Sequence, residues 1–251
     1  MARVVAFANN KGGVGKTATV IAVAQAWAKS GLKILLIDLD SQGNLTVQMS
    51  EQEIDTYPRT VRDAIVEKKK LPIYHAKNGI DYVPANLSLS DIDAVTNSYF
   101  SRETILSKII TDEVADDYDA ILIDCPPALS YATYLGVFAA EHVIIPTMAD
   151  NLSYAGMGMV AKLLHGIREY KKVVISGVVV TKYRANKLNE LYLDKIKNDA
   201  GRAFIEPVVH EATKLQQALT LKEDIYEYDA SCRAMQEYSQ VADKLKEKIM
   251  K

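Results

Sequence analysis

A seven-residue loop, Lys11-Gly12-Gly13-Val14-Gly15-Lys16-Thr17, joins a short apolar run at residues 4–8 to an alanine-rich stretch at 17–29. No other feature limits the possible folds as much. The apolar run reads as a buried strand, and the alanine-rich stretch reads as a helix that stops at Ser30-Gly31, a C-terminal cap signal. Glycines between them let consecutive backbone N–H groups converge on one point without obstruction by Cβ, and the helix N-terminus adds partial positive charge there. An anion is the natural occupant, because Lys11 and Lys16 facing bare N–H groups repel one another unless negative charge lies between them.

The rest of the chain repeats the strand–helix alternation. Apolar runs rich in Val and Ile at 34–37, 120–123, 142–145 and 173–180 fit strands buried on both faces of a parallel sheet. Helical spacing occupies 153–170, 188–200 and 231–250, the last with Met235, Tyr238, Val241, Ala242, Leu245 and Ile249 on one stripe. Between 50 and 115 the pattern is harder to read, with helical stretches at 60–66 and 101–110 and a short strand at 80–83. Alternation of this kind predicts an α/β fold, a doubly wound, mostly parallel sheet with helices on both faces. No linker or internal repeat divides the 251 residues, so one domain spanning 1–251 is expected. Cys125 and Cys232 are too few and too far apart for a disulfide framework or a zinc knuckle. No run approaches the ~20 apolar residues of a membrane span, and a cytoplasmic protein is expected.

Two further stretches belong with the glycine loop. Ile34-Leu35-Leu36-Ile37-Asp38-Leu39-Asp40 ends a strand in two acids, and Ala120-Ile121-Leu122-Ile123-Asp124 ends another in a third. Lys16 would reach β- and γ-phosphates and Thr17 would ligate Mg²⁺, with acids nearby acting on the metal's waters. A competing reading exists. Gly13-Val14-Gly15-Lys16-Thr17-Ala18 also satisfies G-x-G-x-x-G/A, with Asp38 about 20 residues on, as in a dinucleotide site. That reading leaves Lys16, Thr17, Asp40 and Asp124 without roles, whereas a triphosphate uses all of them.

With these residues in view, the sequence resembles the ParA/Soj/MinD family of P-loop ATPases with a deviant Walker A motif, most closely its short ParA or Soj type. The matching segments are KGGVGKT at 11–17, LLIDLDSQGN at 35–44, AILIDCPP at 120–127, IIPTMADNLSYAG at 144–156 and a later stretch within 205–231. The resemblance implies a slow, partner-stimulated ATP hydrolase that uses ATP and Mg²⁺. Lys11 matches the signature lysine that crosses a dimer interface to the partner's nucleotide. Gly12, Gly13, Val14, Gly15, Lys16, Thr17 and Ala18 match the phosphate loop, and Asp40 matches the acid that orients the attacking water. Asp124 matches the Walker B acid, and Asp38 falls where it supports the Mg²⁺ shell or the adjoining loop. Thr181 and Pro207 fall where the family contacts adenine. The chain departs from the pattern at Asn10 (usually Gly), Ala18 (usually Thr) and Ser41 (usually Pro).

The resemblance also implies an ATP-bound homodimer that binds DNA without sequence preference, a ParB-like activating partner, and nucleoid association. Residues 1–150 carry 13 Lys/Arg against 19 Asp/Glu, and residues 151–251 carry 17 against 13, so the second part has the positive balance that phosphate contacts need. Lys182, Arg184, Lys187, Lys195, Lys197, Arg202 and Lys214 are the candidate DNA contacts. A MinD-like membrane role through residues 243–251 is the alternative. That segment lacks an aromatic anchor and continues the apolar stripe of the last helix, so no membrane partner is expected.

Overall fold

A computed structural model describes residues 1–251. Its strands are β1 (Arg3–Phe7), β2 (Ile34–Asp38), β3 (Tyr74–His75), β4 (Asp81–Val83), β5 (Ala120–Asp124), β6 (His142–Thr147), β7 (Val174–Val180) and β8 (Phe204–Ile205). The helices through the middle of the chain are α1 (Lys16–Lys29), α2 (Asn44–Met49), α3 (Val61–Glu67), α4 (Ile92–Thr96), α5 (Ile105–Glu113) and α6 (Tyr131–Ala139). The later ones are α7 (Asn151–Ile167), α8 (Lys187–Ala200), α9 (Thr213–Thr220), α10 (Ile225–Tyr228) and α11 (Arg233–Ile249). The strands form one sheet in the order β3-β4-β2-β5-β1-β6-β7-β8, parallel throughout except where edge strand β3 runs antiparallel to β4.

Strand periodicity explains the two layers. In β1, Val5 and Phe7 point to one face and Val4 and Ala6 to the other; Ile34 and Leu36 oppose Leu35 and Ile37 in the same way on β2. One face is covered by α1, α2 and α9–α11, the other mainly by α3–α7 with Ile196 of α8. Both faces are therefore buried, which is why these strands read as continuous apolar runs. The stripe expected on the last helix is buried throughout, against α1 and β7. Trp27 of α1 donates its indole N–H to the Ala242 carbonyl at 2.9 Å, and the Tyr238 hydroxyl meets Thr19 Oγ1 at 3.1 Å. Leu245 and Ile249 are thereby used in core packing and unavailable to a lipid surface. No helix is long and apolar enough to cross a membrane.

Register brings the expected acids together. Asp38 on β2 pairs with Asp124 on β5, and Asp124 with Phe7 on β1, so the three strands end at one level. Each then opens into a loop at its carboxyl end, where ligands bind in open α/β sheets.

Candidate functional site

The loop after β1 turns on Gly13 and Gly15, both with φ near +75°. That left-handed conformation is open to glycine and strained for other residues. Gly15 caps α1 with no side-chain hydrogen bond and no acid in the first turn, so the first N–H groups of the helix stay available to an anion. Gly12, Gly13, Lys16, Thr17, Ala18 and Asp40 line an open cleft together with Gln216 and Leu219 of α9. Val14 is fully buried beneath the loop; its carbonyl accepts from the Thr181 hydroxyl at 2.7 Å. Thr181, expected beside adenine, thus braces the loop from below. Pro207 is half-buried in the segment after β8, outside the residues that line the cleft.

The two loop lysines diverge. Lys16 is buried and donates to the Lys11 carbonyl at 3.1 Å. Burial lowers its pKa, opposed by the charges of Asp124, Cys125 and Asp40. Lys11 points away from the cleft, its ammonium 3.0 and 3.1 Å from the two oxygens of Asp150. Asp150 is the N-cap of α7, accepting from Ser153 N at 2.9 Å and Oγ at 2.8 Å. Burial raises the Asp150 carboxyl, but the hydrogen bonds from Ser153 and Lys11 prevail and hold it below the ordinary carboxylate value. The sequence carried a sign of this residue in Asp150-x-x-Ser153 ahead of an apolar helix, a capping pattern without a functional label.

The acids divide the work. Thr17 Oγ1 donates to Asp124 Oδ2 at 2.6 Å, while Asp124 Oδ1 is buried with no partner. Burial, then the Asp38 charge, pushes the Asp124 carboxyl up to about 8. Asp38 has both oxygens occupied: one accepts from Asp40 N at 3.0 Å, the other from Thr46 N and Oγ1 at 2.9 and 2.8 Å. Its pKa rises to about 6, driven by burial. Its oxygens thus bond the loop after β2 and the start of α2. Asp40 faces the cleft, held by the Gln42 N–H at 3.0 Å.

This donor set fits magnesium. One hydroxyl and one buried carboxylate with an orphaned oxygen lie beside an anion cradle, and no cluster of three or more acidic, His or Cys ligands surrounds them. Mg²⁺ characteristically takes few protein ligands and keeps its waters and substrate phosphates.

The candidate DNA contacts differ in their partners. Lys182 lies in the cleft, donating to the Gly13 carbonyl at 2.8 Å. Arg184 pairs with Glu211, Lys214 with Asp229, and Lys197 with Glu206 at 3.3 Å. Lys187, Lys195 and Arg202 are exposed and have no carboxylate partner, although the Lys195 ammonium sits 4.9 Å from the Tyr192 ring centre. Glu206 and Glu211 after β8 and Asp229 after α10 thus engage three of the seven candidates.

A family model described as an AAA domain matches residues 2–176. The chromosome partitioning protein ParA of Caulobacter vibrioides is 30% identical over 252 residues, covering 96% of this chain and 92% of that protein. The chromosome-partitioning ATPase Soj of Treponema pallidum is 29% identical, covering 96% of each. Two uncharacterized Mycobacterium tuberculosis proteins are 32% identical over 196 residues, and there the match spans 60% of their length. Among solved structures, cobyrinic acid a,c-diamide synthase from Mycobacterium smegmatis with bound ADP and magnesium superposes with a TM-score of 0.83 at 25% identity, covering 97% of this chain and 93% of that one. With the family model over more than half of its length and a ParA relative 30% identical over nearly all of it, the chain belongs to the ParA/Soj family of P-loop ATPases.

Proposed function

We propose that this chain is a Mg²⁺-dependent ATPase switch: with ATP it pairs with a second copy, holds DNA without sequence preference, and moves plasmid or chromosomal cargo. The observation that carries the reading is the divergence of the lysines. Lys16 is buried under the loop, while Lys11 turns out to Asp150; exposed Leu129 and Met159 adjoin its neighbour Asn10, and exposed Leu152 lies two residues after Asp150. Asn10 ties this rim together, accepting from Leu129 N at 3.2 Å and approaching Met159 Sδ at 2.9 Å. A cation beside exposed apolar side chains suits a protein interface better than solvent.

Phosphoryl transfer needs positioning and charge stabilisation rather than covalent chemistry. The loop N–H groups and Lys16 hold the phosphates, and Asp40 orients the attacking water. Lys11 leaves Asp150 and reaches the partner's nucleotide, so hydrolysis depends on pairing. Thr17 and Asp124 would hold magnesium, which neutralises phosphate charge. The names of the Caulobacter and Treponema relatives support a partitioning role, and ADP with magnesium in the Mycobacterium smegmatis structure supports the cofactors. A ParB-like activator then sets the lifetime of the paired state.

The test is retention on DNA with ATP or ADP across a salt series, alongside anionic vesicles. Steep salt dependence on DNA with ATP alone is expected. Asp40→Ala should abolish turnover and keep ATP-dependent pairs. Retention on vesicles but not DNA, or no response to ATP, overturns the reading.

A further inference from the structure

The sequence places Lys182 among the candidate DNA contacts, yet its ammonium lies 2.8 Å from the Gly13 carbonyl, inside the cleft. Lys16 has a similar arrangement, its ammonium 3.1 Å from the Lys11 carbonyl. Two carbonyls of one loop, two residues apart, are thus each held by a lysine. We infer that Lys182 is a third phosphate-binding cation, clamping the bound nucleotide from the β7–α8 side as Lys16 does from beneath the loop. The inference rests on the nucleotide-binding part of the proposed function and is independent of DNA.

Three observations support it. Lys182 has φ +49°, a left-handed conformation that costs a lysine about 1–2 kcal/mol. Residues held this way persist only where their surroundings over-determine them, and they cluster at ligand clamps. The surroundings here do so: Thr181 N donates to the Thr147 carbonyl at 2.8 Å and Tyr183 N to the Val209 carbonyl at 2.9 Å, pinning both neighbours. The ammonium also forms no ion pair: Glu211, the acid on the adjoining loop, is engaged by Arg184, although after the Arg184 hydrogen bond the Lys182 charge contributes to lowering that carboxyl. Finally, a neutral carbonyl is a weaker acceptor for an ammonium than a phosphate oxygen is. Gly13 therefore holds Lys182 at the mouth of the anion cradle, in a contact that a phosphate can displace.

The test uses the full chain with Lys182→Met, which keeps the aliphatic stem, and Lys182→Arg, which keeps the charge. Affinity for ATP and ADP with magnesium is read by calorimetry, and retention on DNA is followed in parallel. Loss of a charge-assisted hydrogen bond at a partly exposed site should weaken nucleotide binding about 10-fold in Lys182→Met. Lys182→Arg should recover most of that loss, and the unliganded melting temperature should stay within about 2 °C of the parent. Unchanged ATP affinity in Lys182→Met overturns the inference, whether or not DNA retention falls. Lys16→Ala serves as the reference for a lost phosphate contact. A parent that binds no ATP overturns the nucleotide reading itself, which is a separate failure from an equal affinity of parent and Lys182→Met.

Discussion

Gly156 and Gly158 lie two residues apart on α7, and the structure assigns opposite signs to their replacement by alanine. A Cβ at Gly156 would come inside 3.0 Å of Asn9 Oδ1, and would sit 3.5 Å from Asn9 Cγ and 3.6 Å from Asn10 N. Asn9 cannot swing aside cheaply. It is buried, its Nδ2 donates to the Pro146 carbonyl at 2.8 Å, and its Oδ1 accepts from Lys11 N at 3.1 Å. Displacing the amide loses two hydrogen bonds of about 1 kcal/mol each. Overpacking adds about 1–3 kcal/mol, and the gain in helix propensity returns about 1 kcal/mol. Gly156→Ala should therefore destabilise by about 2–4 kcal/mol. At about 2–4 °C per kcal/mol for a chain of this size, the melting temperature should fall by roughly 4–16 °C. Because Asn9 anchors the first residue of the phosphate loop, the further rise in melting temperature on adding ATP and magnesium should also shrink. Gly158 has nothing within 4 Å of the same position, so Gly158→Ala should gain about 0.5–1 kcal/mol and leave the nucleotide response intact. Thermal melts of both variants with and without nucleotide make the comparison. Equal stability and equal nucleotide response in the two variants would refute the argument that α7 packs against the loop through Gly156.

Two other perturbations follow from the same geometry. Lys11→Ala removes an ion pair about a third exposed on both sides, so stability should drop by at most about 1 kcal/mol and ATP binding should persist, while ATP-dependent pairs disappear from size-exclusion profiles; their survival would sink the role of Lys11 in trans. His142 is held below its ordinary pKa by burial, with Arg3 and Lys172 opposing the pull of Glu141. Between the ordinary value of 6.5 and the lower folded value the unfolded chain binds a proton that the folded chain does not, so the histidine's contribution falls as pH drops through that window. Denaturant titrations at pH 7 and pH 5 should show the parent losing more stability than His142→Asn, and the opposite order would be wrong for a half-buried neutral imidazole.

The sequence determined the fold class and the place and turn of the loop on its own, because both rest on local rules. Apolar runs at 4–8, 34–37 and 120–123 became the adjoining strands β1, β2 and β5, and the glycines before an alanine-rich helix became the left-handed turn that opens α1. The short elements were invisible. The two-residue strands β3 and β8 and the helices α2, α4 and α10 are too brief for any periodicity to register, and α6, with a nearly all-apolar sequence, has little contrast between its faces. Side-chain commitments were decided only by the tertiary structure. Asp38 and Asp124 carry the same strand-end signal, yet Thr46 and the Asp40 N–H occupy one while the other keeps an orphaned oxygen beside Thr17. Lys182 and Lys187 read alike in the chain, yet one lies over the phosphate loop and the other faces solvent. A residue's charge is written in its type, but its partner is set by which distant segment the sheet carries alongside it, and Asp150 meets Lys11 across 139 residues of chain.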